Sequence, residues 1–178
     1  TGPSVLIRSV TGDGPRDLPR PVGSAVSFVT LAAFVWWHLV SVTPEDPQRL
    51  AVMLLCYAAL AITGGAVFGG SWFERADPFW QLSQWLGSLS PLSRVAETPI
   101  HSGQLLLLPV FLGALSFDGL ASSFTWLDMI GVNPLDFQGR GSVKMANTIG
   151  LFVFIASLAA AICACAAIGW LWAGRPHP

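Results

Sequence analysis

Residues 34–55 read "FVWWHLVSVTPEDPQRLAVMLL". Two apolar runs meet there across a short polar break, "TPEDPQR". Pro44 and Pro47 stop one helix and help to start the next, because proline lacks the amide hydrogen a helix interior needs and is tolerated in a first turn. Glu45 and Asp46 suit a helix N-terminus, whose unpaired amides carry partial positive charge. The stretch therefore predicts a tight hairpin of two apolar helices.

Extended outward, the first run covers about 22–42 and the second about 50–70. Two more apolar runs follow at about 105–126 and 143–172. A bilayer core of about 30 Å is crossed by about 20 helical residues. The first two runs fit that length, and the fourth must tilt or project beyond the hydrocarbon. No barrel-like alternation is visible, which leaves helices as the spanning form. The expected fold is an all-α, polytopic transmembrane bundle of four spans. A polar segment, 1–21, precedes it and a tail, 173–178, follows.

Composition agrees. The 178 residues are 53% hydrophobic and 11% charged, against about 25% charged in ordinary soluble domains. The net charge is −1, with nine Lys and Arg in all, so no basic surface for nucleic acid is expected. Cys56, Cys163 and Cys165 fall in apolar runs and read as small hydrophobes. Cys163 and Cys165 would point about 200° apart on a helix, too divergent to clamp one metal ion.

Between the second and third runs lies "DPFWQLSQWLGSLSP". Phe79, Leu82, Trp85, Leu86 and Leu89 recur at spacings of three and four. This predicts an amphipathic helix at about 78–90 lying along the membrane interface, with Trp80 and Trp85 as anchors; a short helix buried against the bundle is the alternative. Trp36, Trp37, Trp170 and Trp172 read as belt residues near helix ends. The Lys and Arg of one side (Arg8, Arg16, Arg20, Arg75, Arg94, Arg175) outnumber those of the other (Arg49, Arg140, Lys144). That bias places both termini in the cytoplasm.

Small residues suggest where helices meet. Ala61, Gly65 and Gly69 lie at steps of four on the second run. The fourth run carries Ala156, Ala160 and Ala164 on one stripe and Ala159, Cys163 and Ala167 on another. Such stripes let backbones approach closely, and two on one helix suggest packing on two sides, one against a partner subunit.

Few residues offer chemistry. His38 lies toward the end of the first run. It reads as an interface residue, with a single axial ligand to a haem or chlorophyll-type pigment, or a proton carrier, as alternatives. Asp118 is an intramembrane charge if the third run continues past it, and a headgroup-level carboxylate if the helix ends there. Glu74, Arg75 and Asp77 form either a solvated boundary loop or a charge network orienting the interfacial helix. The sequence has no phosphate loop, nucleophile elbow or zinc-hydrolase motif. Lipid is the expected cofactor-like partner, with haem or pigment possible only through His38.

Several strings together resemble a known pattern: "FVWWHLVSVTPEDP", "YAALAITGGAVFGGSWFERADPF", "LGSLSPLSR", "LGALSFDGLASS" and "MANTIGLF", in this order. The pattern resembles a family of bacterial polytopic membrane proteins labelled fenitrothion hydrolases, over residues 18–158. "SFDGL" and "ANTIGLF" are its most specific parts, and neither is a catalytic signature. Members of that family are longer, with further helices on both sides. The chain departs from the pattern in carrying His38 where a carboxylate or another polar residue is expected. The resemblance implies a helical membrane fold and, through its label, organophosphate hydrolysis. The residues themselves favour a non-catalytic subunit of a larger membrane complex, respiratory or photosynthetic; a membrane hydrolase and a transporter fragment are the alternatives.

Overall fold

A computed structural model describes residues 17–88, 105–133, 135 and 139–173. The N-terminal sixteen residues, the last part of the expected interfacial helix at 89–90, Arg94, His101, and the tail with Arg175 and His177 lie outside the described residues. Among the described residues the secondary structure is helical throughout. In chain order the helices are α1 (Arg20–Val40), α2 (Pro47–Phe68), α3 (Gly70–Ala76), α4 (Pro78–Ser88), α5 (Leu107–Ala121), α6 (Phe124–Met129) and α7 (Arg140–Ala173).

Three of them, α1, α2 and α7, are long and apolar enough to cross a membrane, which makes the chain a membrane protein by the length and composition of its helices. The third expected span, 105–126, is not one helix. α5 has 15 residues, about 22 Å at 1.5 Å per residue. It ends because Ser123 turns into extended backbone and caps α6, its hydroxyl accepting from the Trp126 amide.

The hairpin forms as its chemistry dictates. The Asp46 carboxylate accepts from the Gln48 amide at 3.0 Å and pairs with Arg49 at 3.4 Å, and Pro47 takes the first turn of α2. α2 stops at Phe68 because Gly69 adopts φ 60°, ψ −141°, a conformation that side chains disfavour. Gly69 thus makes the turn from α2 into α3.

The chain divides into two compact units. The first holds residues up to Phe34 together with 43–107; the second holds 35–42 and the chain from Leu108 onward. In the first unit, Leu18, Trp72 and Ala76 form a small core against Val26, Phe68 and Phe73. The Trp72 ring stacks on Phe68, with centroids 6.1 Å apart, and lies directly over Gly64, where a Cβ would fall inside the indole. A Cβ on Gly65 would sit 3.2 Å from the Phe73 ring. The small residues of α2 therefore receive aromatic rings from the next helix, where the sequence suggested a neighbouring backbone.

In the second unit, α5 and α7 run antiparallel. Gly113 faces Ile155, while Phe117 reaches Gly150 and Phe154 further back along α7. Phe117 also meets Trp126 edge-on at 5.2 Å, and Trp126 donates to the buried Asn147 at 2.8 Å. The last turns of α1 likewise run against the start of α7: Trp36 reaches Thr148 and Lys144, and His38 reaches Arg140.

Candidate functional site

The most concentrated buried polarity lies in the first unit, around the turn from α3 to α4. Pro78 starts α4 because proline is at home in a first helical turn. Asp77, just before it, is extended and caps the new helix: its Oδ1 accepts from the Trp80 amide at 3.0 Å. Its Oδ2 accepts from the Tyr57 hydroxyl at 2.7 Å. Asp77 is only 7% exposed, so a polar group inside the unit is satisfied by a phenol from α2 and an amide from α4.

One turn along, Gln81 is 2% exposed, and its side-chain amide donates to the fully buried Ser27 hydroxyl on α1 at 3.1 Å. Phe79 holds the same region together, meeting Phe34 and Tyr57 edge-on at 5.3 Å each. α4 and its capping Asp77 are therefore tied to α1 and α2 by one hydrogen bond each and by an aromatic cluster. Like Pro78 in the same helix, Gln81 is fully buried although its side chain is polar. Only a partner hydroxyl 54 residues away makes that position tolerable, and no local periodicity signals such a partner.

The charged residues beside this turn separate. Arg75 donates to the Leu18 carbonyl and pairs with Asp17 at 3.0 Å. Its own backbone packs against Gly23, where a Cβ would lie 2.9 Å from the Arg75 carbonyl. Glu74 is exposed. Chemically this is a clasp: both carboxyl oxygens of Asp77 are engaged, and no group of three or more His, Cys, Asp or Glu able to hold a metal ion occurs among the described residues.

The other candidates scatter. His38 is exposed in the second unit, and its carbonyl accepts from Arg140 at 3.3 Å. Trp36 donates to the Thr148 hydroxyl at 3.1 Å and lies under the Lys144 ammonium, whereas the Trp37 indole nitrogen is shielded with no partner among the described residues. Trp80 and Trp85 are half-buried on α4, and Trp170 and Trp172 are each 76% exposed. Asp118 is exposed one turn before the end of α5. Ala61 is half-buried, and Ala156, Ala160 and Ala164 are exposed. Missed by sequence reasoning were Gly64, Gly113 and Gly150, each seated against a side chain or backbone of a neighbouring helix. Single glycines without a small-residue repeat carry no such signal.

Comparison with protein-family models, with curated proteins and with solved structures returns no match.

Proposed function

We propose that this chain is a non-catalytic integral subunit of a larger bacterial membrane complex, contributing helix packing and assembly. The observation that carries the reading is the second half of α7. Asn147, Gly150, Leu151 and Ile155 are buried, but from Ala160 to Trp172 every residue except Ile162 is exposed. That surface includes the small-residue stripe of Ala160 and Ala164, which suits close approach of another helix. The engaged carboxyl of Asp77 favours a structural clasp over hydrolysis.

Four crossings with both termini in the cytoplasm are part of the proposal, as is an interfacial position for α4. Support for the even count comes from direction. α5 and the last turns of α1 both run opposite to α7, so the chain enters and leaves on the same side. α5 is short for a span, and a locally thinned bilayer or shielding by neighbouring helices accommodates it. Cysteines introduced at Arg16 and at Arg175 are both expected to resist an impermeant thiol reagent in intact cells. Labelling of one alone would establish an odd number of crossings.

Function is tested by purification from the native membrane in mild detergent, for the parent and for His38→Gln. Both are expected in a particle of defined composition well above the 18.9 kDa of the chain, with identical visible absorption. A monomer that cleaves a phosphotriester would contradict the subunit reading. Loss of a haem or chlorophyll band in His38→Gln alone would make His38 a pigment ligand.

A further inference from the structure

Arg140 and Lys144 open α7 and lie four residues apart, which puts them on one face with Cβ atoms about 5–6 Å apart. Both are exposed, and both are held in place by the end of α1. The Arg140 guanidinium donates one hydrogen to the His38 carbonyl at 3.3 Å. The Lys144 ammonium sits 5.3 Å from the centre of the Trp36 ring, and that ring is fixed in turn by its bond to Thr148. These partners are neutral. Among the described residues the ion pairs involve Arg49 and Arg75, and neither Arg140 nor Lys144 is paired with a carboxylate. Two like charges one turn apart disfavour the helix, and an anion placed between them reverses the sign.

Depth identifies the anion. Trp170 lies 26 residues beyond Lys144 on the same helix, about 39 Å at 1.5 Å per residue. A bilayer including its headgroup layers is about 40–45 Å thick. With the Trp170 indole at one interface, Lys144 reaches the headgroup layer of the other, and Arg140 stands one turn further out. Trp36, with its apolar body and polar edge, suits the same level.

We propose that Arg140 and Lys144, braced by His38 and Trp36, form a binding site for the phosphate of an anionic phospholipid headgroup. The guanidinium keeps four further N–H donors for phosphate oxygens, and the ammonium supplies the second charge. A zwitterionic lipid brings its own cation to the site and gains less. The proposal rests on α7 crossing the membrane and not on complex membership, so it stands or falls separately from the subunit reading.

The test uses the full chain in nanodiscs and delipidated in detergent. Retained lipid is read by native mass spectrometry, for the parent, the Arg140→Gln/Lys144→Gln double variant and the charge-conserving Lys144→Arg variant. With phosphatidylglycerol the parent is expected to retain about one lipid per chain. Affinity should fall at least about tenfold in the double variant and stay within about threefold in Lys144→Arg. With phosphatidylcholine, retention by the parent should match that of the double variant. Equal phosphatidylglycerol retention by parent and double variant would overturn the site. Displacement of the lipid by millimolar inorganic phosphate would overturn the lipid assignment and leave a soluble-anion site. A double variant that does not fold moves the decision to the parent alone: preference for phosphatidylglycerol over phosphatidylcholine supports the site, and no preference overturns it.

Discussion

Gly64→Leu is expected to lower the thermal midpoint of the purified protein more than any other single change in α2. Even the first carbon of the new side chain would fall inside the Trp72 ring, and Trp72 is buried and stacked on Phe68. The ring cannot yield by a small rotation; it has to leave its place between α2 and α3. Overpacking typically costs about 1–3 kcal/mol, and a displaced tryptophan puts this variant at or above the upper end. Gly64→Ala is expected to be destabilising for the same reason. Gly119→Ala in α5 is the control: nothing lies within 4 Å of that position, so the helix-propensity gain of about 1 kcal/mol stands alone. Equal midpoints for Gly64→Ala and Gly119→Ala, measured by intrinsic fluorescence in detergent, would remove Trp72 from its seat on α2.

Asp77→Ala is the second large effect. It strips the Tyr57 hydroxyl and the Trp80 amide of their acceptors at once. A buried donor left without a partner costs about 1–3 kcal/mol; both donors here are half-buried, so the pair predicts a loss of about 2 kcal/mol and fraying at the start of α4. The diagnostic is the coupling with Tyr57→Phe. In the parent, Tyr57→Phe removes a hydrogen bond and destabilises. In the Asp77→Ala background the hydroxyl is already orphaned, and its removal should be neutral or restoring. Additive losses across the cycle would show that the two groups do not meet.

Why some of this was legible and some was not follows from range. The hairpin was readable because its signals are local: Pro44, Asp46 and Pro47 act on their own turn. The apolar runs of α1, α2 and α7 were readable from length alone. The break after Ala121 was signalled only loosely, by Asp118 and Gly119 just before it, because its position is decided by how Ser123 meets Trp126. Asp77 was visible as a charge beside a proline, but its burial depends on Tyr57, twenty residues away on another helix. The burial of Gln81 was not legible for the same reason, its partner being Ser27 on α1. Gly69 looked like one more small residue in a stripe because a backbone angle leaves no mark on composition.

The most direct measurement for the subunit reading is photo-crosslinking from α7 in the native membrane. A photoreactive residue in place of Ala160 sits on the exposed stripe of a helix whose earlier turns are already packed. The account predicts one dominant adduct with a different protein chain of defined mass, formed near stoichiometrically. Adducts with lipid alone, or with a second copy of this chain, would contradict it.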